Sequence, residues 1–379
     1  MRKCDSAHAA RARLPIDLLH SVKCFAGPKD VWRSLNKSVP KDSRSGLSID
    51  DSRVAFARVQ RVDGGVLRLA AVTVNQDPND EQWAQELAAR MKSIDLAQSR
   101  VTSVLPDGSY QLLLVEVPNV PAKEINSAAR WQIKDLLDFP VDDTVVQLFE
   151  MPEQSTRDSK PMAYAVATRR SSIEKHAELL HGAGFPLDTI DIPELCTRNI
   201  ATLLPQDADG VAFFHFTETH GILTVTRQGV LYLVRRIDIG RRAIKSASNV
   251  NFRVDDFNVD LAVSSVLEFE ESPDDHEGFS GFTANSTQTE LVSAIVLEIQ
   301  RSLDFYESHF AYGPPSELVL SPGSDIGGLA RSLSEQLGVS VSNLDLNKLF
   351  HIQSALSPVG QGACLLAVGA ALRSASLAA

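Results

Sequence analysis

The Gly-rich stretch LVLSPGSDIGGLARSLSEQLGV, residues 318–339, has the residue types of a phosphate-binding turn. A short apolar run precedes Ser-Pro-Gly-Ser-Asp and a Gly-Gly pair, and leucines at helical spacing follow. Glycines let the backbone approach a ligand, and the first turn of a helix offers free N–H groups. The segment therefore predicts either a nucleotide contact or a plain strand-to-helix turn capped by Ser324 or Asp325.

The other residues that could carry chemistry are too scattered to form a recognisable motif. The four cysteines, at positions 4, 24, 196 and 364, contain no CxxC pair, so neither a disulfide framework nor a zinc site is predicted. The nine histidines occur singly, which disfavours nucleophilic catalysis. The acidic stretch RVDDFNVDL lacks the alternating ligands and the glycine of a calcium loop, so it predicts solvated turn residues and no metal site.

Composition places the chain among ordinary globular proteins. Its 379 residues, 44% hydrophobic and 22% charged, are enough for two or more packed subdomains. The longest strongly apolar run, at 362–372, has about half the length that a bilayer-spanning helix requires. Charged residues interrupt any apolar run near the N-terminus that could serve as a signal-peptide core. We therefore expect a protein of the reducing cytoplasm. The net charge of −11 argues against a nucleic-acid partner.

The charge is unevenly distributed along the chain. Residues 1–44 carry a net charge of +6, which leaves −17 on the remainder. Within this basic N-terminal extension, LPIDLLHSVKCF and DVWRSLNK place apolar residues at roughly helical spacing with Lys or Arg between them. Such segments lie on an anionic membrane surface or dock on a partner, and the alternative is a poorly ordered terminus.

Two similar β-meanders predict a duplicated architecture. Alternating residues at 46–74 and again at 211–240 each indicate three strands joined by polar turns. Helical spacing predicts helices at 81–94, 122–138 and 289–310, and Ser171 and Ser172 with Glu174 indicate a capped helix start. The chain is predicted to form two lobes, one on each meander. The predicted divisions are the extension 1–44, the first part of the first lobe at 45–97, a compact α+β unit at 98–182, and the rest of both lobes at 183–373, with a mobile loop at 272–288.

Several segments, in the same order, resemble the PilM family of type IV pilus assembly proteins. They are AARWQIKDLLDFPVDDTVVQLFEMP, FFHFTETHGILTV followed by LVRRIDIGRRAI, and EIQRSLDFYESHF leading into the Gly-rich stretch. The likeness covers roughly residues 45–373 and is greatest to the branch that serves mannose-sensitive haemagglutinin (MSHA) pili. It implies an α/β fold of the actin-like type, with ribonuclease H-like duplicated lobes and an inserted α+β subdomain of the SHS2 type, as in the relative FtsA.

The resemblance also implies three nucleotide loops, and all three depart from the family pattern. The first is Ser48-Ile49-Asp50-Asp51-Ser52, in which Asp50 replaces a glycine and would direct a carboxylate toward a polyphosphate. The second contains His215, Thr217 and Thr219, with His215 in place of an aspartate that helps to hold Mg²⁺. The third contains Gly323, Ser324 and Gly327, preceded by Pro322, which lacks an N–H donor. We therefore expect a degenerate site with no catalytic residue and no cofactor beyond weak ATP and Mg²⁺.

The family likeness implies a scaffold rather than an enzyme. We expect a cytoplasmic protein, peripheral to the inner membrane, that binds the N-terminal cytoplasmic peptide of a PilN-like inner-membrane protein and, through it, other pilus machinery. Candidate groove residues are Arg130, Trp131, Lys134 and Phe139, and core packing is the alternative for the two aromatic residues. Competing hypotheses are an ATPase or nucleotide switch of the actin and sugar-kinase superfamily and, from net charge alone, an acidic body that binds a basic partner.

The basic extension predicts reversible membrane attachment. Each basic residue near an anionic surface contributes about 1 kcal/mol, so several together, with apolar residues of 14–25 entering the interface, give measurable binding that salt weakens. In sedimentation with anionic liposomes at low salt, the full chain should pellet and a chain beginning at Arg44 should not. Equal binding by both chains, or by neither, would contradict this role of the extension.

Overall fold

The computed structural model describes residues 44–50, 53–62, 66–75, 100–152, 160–250, 288–310, 312–324 and 329–373. The basic extension, the predicted helix at 81–94 and nearly all of the predicted loop at 272–288 lie outside these residues, and Gln288 itself begins a helix. None of the helices in the described ranges has the length and hydropathy needed to cross a membrane.

The first sheet is built on the first meander. Its strands are β1 (Arg44–Ile49), β2 (Arg53–Arg61), β3 (Leu67–Asn75), β4 (Arg100–Val104), β8 (Leu187–Asp191) and β14 (His351–Ile352). The order is β14-β3-β2-β1-β4-β8, with β1, β2 and β3 antiparallel and β4 and β8 parallel to β1. We call this sheet and the helices on it lobe I.

The second sheet repeats that topology. Its strands are β9 (Val211–Phe216), β10 (Gly221–Arg227), β11 (Val230–Ile237), β12 (Glu317–Leu320) and β13 (Val341–Asn343). The order β11-β10-β9-β12-β13, again antiparallel in the meander and parallel beyond it, matches β3-β2-β1-β4-β8 strand for strand. The predicted duplicated architecture is therefore confirmed, and we call this second half lobe II.

Eight α-helices of four or more residues lie in the described ranges. They are α1 (Ile125–Gln132), α2 (Arg170–Gly182), α3 (Pro193–Ala201), α4 (Arg241–Val250), α5 (Gln288–Phe310), α6 (Leu329–Leu337), α7 (Leu346–Leu349) and α8 (Pro358–Ala371). The predicted helix at 289–310 is confirmed as α5, and its apolar residues at helical spacing are buried in the lobe II core. The predicted strand and helix around the Gly-rich turn are confirmed as β12 and α6.

Helices α3 and α8 lie between the two sheets. One continuous core joins residues of β1 and β2 to residues of α8 and to Phe213 and Val319 on the facing side of the second sheet. The approach is at backbone distance, since a methyl group built on Gly46 would lie 2.0 Å from the carbonyl oxygen of Ala367. Asn199 of α3 donates to the carbonyl of Gly369 at 2.9 Å. Together these contacts fix the two lobes around a shared helix pair.

A third sheet forms the inserted subdomain, which we define as residues 110–169. Its strands are β5 (Tyr110–Glu116), β6 (Thr144–Glu150) and β7 (Met162–Arg169), in the antiparallel order β5-β7-β6. Ala129 and Ile133 of the α1 region pack on its outer face. The predicted boundary at 98 was wrong, because β4 pairs with β1 and β8 and so belongs to lobe I.

Two local predictions in this subdomain were also wrong. The helix predicted at 122–138 stops at Gln132 and continues as a 3₁₀ turn at Lys134–Leu136. Gln111 of β5 bonds both the backbone N–H (3.2 Å) and the carboxylate (2.6 Å) of Asp138, which holds this segment to the sheet in place of a further helical turn. Ser171 does not cap α2; instead its N–H and hydroxyl donate to Asp143, which acts as a cap from another segment.

Three polar links attach the inserted subdomain to the lobes. Asp107, in the turn before β5, lies 3.2 Å from Nδ1 of His220 and 3.1 Å from Nη1 of Arg236 in lobe II. The hydroxyl of Tyr110 donates to both carboxylate oxygens of Glu194, at 2.8 and 3.0 Å. The hydroxyl of Tyr164 accepts the backbone N–H of Val234 at 2.9 Å.

The Glu194 link predicts a pH dependence of stability. Burial, opposed by the Tyr110 bond, raises the pKa of Glu194 from 4.5 to about 7. Since the folded state holds this proton more tightly, the contribution is complete below the unfolded pKa and is lost as pH rises through about 7, with a size of roughly 3 kcal/mol. In urea denaturation, Glu194→Gln should therefore lose less stability than the wild type between pH 5 and pH 8. The exposed control Glu335→Gln should follow the wild type, and parallel curves for Glu194→Gln and wild type would contradict the assignment.

Candidate functional site

The duplicated topology brings three turns to the cleft between the lobes. The first turn joins β1 to β2, and the second, at 217–220, joins β9 to β10 at the equivalent place in the repeat. The third follows β12, which is parallel to β9, so it leaves the sheet at the same edge as the second. Of the nine loop residues predicted to touch a nucleotide, Ser52 and Gly327 lie outside the described residues.

The first turn carries an internal ion pair. Asp50 follows β1, its N–H donates to the carbonyl of Arg53 at 2.9 Å, and its carboxylate lies 3.7 Å from Nε of Arg53. Ser48 is partly buried within β1 and pairs with Ala55 of β2. The described part of this turn therefore presents a carboxylate beside a guanidinium.

The second turn is closed on itself by side-chain bonds. The Thr217 hydroxyl lies 3.0 Å from Nδ1 of His220 and accepts the backbone N–H groups of Thr219 (3.2 Å) and His220 (3.0 Å). His215, at the end of β9, is 5% exposed, and its Nδ1 has no hydrogen-bond partner among the described residues. Burial, with Arg241 and His220 nearby, lowers the pKa of His215 from 6.5 to about 3, so the ring is neutral.

The third turn uses its hydroxyl groups to hold the fold. Ser324 is fully buried and bonded to Ser321 at 2.7 Å, and the Ser321 hydroxyl accepts the N–H of Phe216 at 3.2 Å. Gly323 has a φ of +73°, a conformation that favours glycine. A side chain there would also come within 3.2 Å of the Pro358 carbonyl at the start of α8. The hydrogen bonds connect β9 to the third turn, and the close approach at Gly323 brings the third turn against the start of α8.

Arg241, the first residue of α4, lies where the three turns meet. Its N–H donates to the Thr217 carbonyl at 3.0 Å, and its Nε lies 3.2 Å from Oε1 of Glu218, an ion pair by distance without hydrogen-bond alignment. A methyl group built on Gly362 of α8 would lie 3.8 Å from Nη1 of Arg241 and 2.5 Å from the Pro322 carbonyl oxygen. Burial lowers the pKa of Arg241, Glu218 and Asp50 raise it, and Arg53 lowers it. The guanidinium thus pairs with the second turn, lies in the electrostatic field of the first turn, and lies near Gly362 of α8.

This residue set does not fit a magnesium nucleotide. A hard cation prefers oxygen ligands, whereas the end of β9 offers a neutral, buried imidazole. Among the described residues of the first two turns, the carboxylates of Glu218 and Asp50 face Arg241 and Arg53. In the described part of the chain, no group of three or more His, Cys, Asp or Glu side chains is arranged to hold a metal ion. No catalytic step can be derived from these groups.

The predicted partner-binding residues lie on the outer side of the inserted subdomain, away from the lobes. Trp131 is 55% exposed on α1, with the Arg130 guanidinium 5.8 Å from its ring centroid, so it is not a core residue. Lys134 is exposed in the 3₁₀ turn. Phe139 packs against the core of the subdomain, with the Arg169 guanidinium 5.0 Å from its ring centroid, as the core-packing alternative proposed.

Strand β5 provides a second surface, which the sequence did not indicate. It is an edge strand, and the N–H of Val117 donates to the Pro161 carbonyl at 2.8 Å. The alternation of an antiparallel ladder then turns the backbone N–H and C=O groups of Leu112, Leu114 and Glu116 away from β7. Leu114 is 44% exposed. The opposite edge, β6, is covered, because the Leu148 N–H donates to the Asn126 side chain at 3.2 Å.

Arg241 is a residue of this site that sequence reasoning missed. Arginine in the first turn of a helix opposes the positive end of the helix dipole, so the Gly240-Arg241-Arg242 start of α4 was a signal that the position serves another purpose. Gly240 was a second signal, since a methyl group there would lie 2.3 Å from the backbone of Thr219. Only the folded chain shows that the helix start meets the second turn.

Comparison with solved structures identifies the fold of this chain. Neither a protein-family model nor a curated protein sequence matches this chain. Among solved structures, it is similar to a chain of the "PilM-PilN type IV pilus biogenesis complex", with a TM-score of 0.59 and 19% identity over 88% of this chain and 98% of that chain. A Bacteroides thetaiotaomicron protein with an actin-like ATPase fold and unknown function matches with a TM-score of 0.43 and 10% identity, over 89% and 99% of the two chains. The cytoplasmic domain of EpsL, an inner-membrane component of the Vibrio cholerae type II secretion system, matches with a TM-score of 0.37 and 12% identity, over 68% and 95%. The strand order and the first of these likenesses together establish an actin-like fold of two duplicated lobes.

Proposed function

We propose that this protein is a non-catalytic scaffold of type IV pilus biogenesis, and that it serves MSHA-type pili as the PilM counterpart MshI. The observation that carries the proposal is the likeness to a chain of the PilM–PilN complex, which extends over 98% of that chain. The sequence segments that resemble the PilM family fall in both lobes and in the inserted subdomain. The MSHA assignment is supported by the departures of all three nucleotide loops from the PilM pattern.

The side chains of the cleft favour a scaffold function over an ATPase function. Phosphoryl transfer needs a metal held by oxygen ligands and donors that meet the phosphate oxygens. Here the hydroxyls of Ser324 and Thr217 are bonded within the protein, and the carboxylates of Asp50 and Glu218 would repel a polyphosphate. An ATPase or nucleotide switch remains the competing function, and a titration separates the two.

The partner in this proposal is the N-terminal cytoplasmic peptide of a PilN-like inner-membrane protein, which would keep the scaffold at the membrane surface. A short extended peptide pairs with an exposed sheet edge, where main-chain hydrogen bonds give affinity and side-chain pockets give specificity. The open edge of β5, with half-exposed Leu114, fits that mode better than α1 does. We therefore place the peptide along β5.

The scaffold proposal predicts that ATP binds weakly or not at all. In isothermal titration with Mg²⁺-ATP up to about 1 mM, near the upper end of common enzyme KM values, the full chain should release no saturable heat and no phosphate should accumulate. The physical reason is that Asp50, His215 and Thr217 replace a phosphate clamp with a carboxylate, a neutral ring and a self-bonded hydroxyl. A low-micromolar dissociation constant that disappears in Ser52→Ala would contradict the proposal and favour the ATPase.

The β5 placement predicts which substitution abolishes peptide binding. The Leu114 N–H points away from β7, so Leu114→Pro leaves the native ladder intact and removes a donor from the open edge. The test is fluorescence polarisation with a fluorescein-labelled N-terminal peptide of the PilN-like protein. This variant should bind the peptide at least about tenfold more weakly, because it loses one hydrogen bond between uncharged groups and the contacts that the proline ring displaces.

Two matched variants make the peptide experiment decisive. Leu114→Ala keeps the N–H and should lose less affinity than Leu114→Pro, whereas Trp131→Ala, on the outer face, should bind as the wild type does. Loss of binding in Trp131→Ala with normal binding in Leu114→Pro would move the peptide to the α1 face. Thermal unfolding of each variant checks that the fold is retained.

A further inference from the structure

The strand register of lobe I collects basic side chains at one end of the first sheet, opposite the first turn of the cleft. Arg44 and Arg100 are the first residues of β1 and β4 and lie directly opposite each other in this parallel pair. Arg61 is the last residue of β2, and Arg68 is the second residue of β3. The four strands are neighbours in the order β3-β2-β1-β4. Since neighbouring strands lie about 4.8 Å apart, the four arginines form a row roughly 15 Å long, which we call the basic rim.

The basic rim is not neutralised by the part of the chain that the structure describes. Arg61, Arg68 and Arg100 are exposed, and among the described residues none of them lies within ion-pair distance of a carboxylate. Arg44 is partly buried, and its guanidinium donates to the carbonyl of Arg373 at the end of α8. Like charges on opposed residues of neighbouring strands repel each other, so the rim lowers folding stability. Three positive charges are therefore available to a partner.

We propose that the basic rim is a membrane-facing surface that binds the anionic headgroups of a lipid bilayer. The first argument is charge complementarity, because the rim is basic although residues 45–379 carry a net charge of −17. The second argument is continuity with the basic extension, since residues 1–43 join the described structure at Arg44, which belongs to the rim. The extension has basic residues between apolar residues at helical spacing, a pattern typical of segments that lie on a membrane surface.

The proposal fixes how the protein is oriented on the bilayer. Strand β1 runs from the rim to the first turn, so a rim that faces the lipid directs the cleft away from it. The extension and the rim then meet the same surface, and their contributions add. This inference goes beyond the proposed function and does not depend on which partner peptide the scaffold binds.

Sedimentation of the full chain with vesicles of phosphatidylcholine and phosphatidylglycerol at low salt tests the surface. The full chain is used because the rim adds to the attachment that the extension provides. A variant that combines Arg61→Gln, Arg68→Gln and Arg100→Gln should bind at least about tenfold more weakly, since each basic residue in contact contributes about fivefold. Arg44 is left unchanged because it bonds the end of α8. Vesicle binding equal to that of the wild type would overturn the proposal.

A matched control separates the rim from net charge. Lys123→Gln, Lys134→Gln and Arg242→Gln together remove the same number of exposed positive charges from the inserted subdomain and lobe II. This variant should bind the vesicles as the wild type does. An equal loss of binding in the control variant would show that net charge alone acts, and would overturn the assignment of the surface to the rim.

Phenylglyoxal labelling of arginines in the wild-type chain, read by mass spectrometry, gives a test that needs no variant to fold. Vesicles that contain phosphatidylglycerol should slow the modification of Arg61, Arg68 and Arg100 severalfold and leave the exposed Arg242 unchanged. Equal protection of Arg242, or equal protection of the rim by vesicles of phosphatidylcholine alone, would overturn the proposal. Stronger protection of the rim by soluble polyglutamate than by anionic vesicles would assign it to an acidic protein partner and overturn the membrane assignment.

Discussion

The architecture depends on the close packing of α3 and α8 between the two sheets. Glycines bring backbone against backbone at two places: Gly46 of β1 against the Ala367 carbonyl, and Gly369 of α8 against the Cys196 carbonyl, where methyl groups would lie 2.0 and 2.2 Å from the oxygens. Interiors at close-packed density transmit such constraints instead of absorbing them. The positions of both lobes, and so the width of the cleft, follow from this contact.

The packing of α3 and α8 determines the shape of the cleft, and a few side chains at the three turns determine its chemistry. Because α8 starts beside the third turn, Gly362, Pro322 and Arg241 come together without any contribution from a ligand. Exposed ion pairs contribute about 0–1 kcal/mol, but Arg241 is largely buried and is held by its own backbone, so less side-chain entropy is lost in forming the pair.

The inserted subdomain meets the lobes through polar links of a different kind. Glu194 is buried and accepts the hydroxyl of the partly buried Tyr110, whereas the side chains of Asp107 and Arg236 are about half exposed. An unpaired buried carboxyl or hydroxyl is costly, so these links specify one orientation more than they add stability. That orientation leaves β5 as an open edge, while α1 covers β6 through Asn126. The surface proposed for the partner peptide is thus a product of how the subdomain is attached.

Local sequence determined most of the elements and their duplication. Period-two alternation in the two meanders and helical spacing in α5 and α6 are properties of a few neighbouring residues, and they predicted the strands and helices that the structure contains. The same local reading assigned β4 to the inserted unit, extended α1 to Asp138 and placed a cap at Ser171. Each of these depended on partners distant in sequence: β1 and β8 for β4, Gln111 for Asp138, and Asp143 for Ser171. The sequence also showed that Asp50, His215 and Thr217 depart from a phosphate clamp. That Arg241 lies on the second turn and near Gly362 was decided only by tertiary structure, because its position depends on the packing of α4 on the second turn and of α8 against β1.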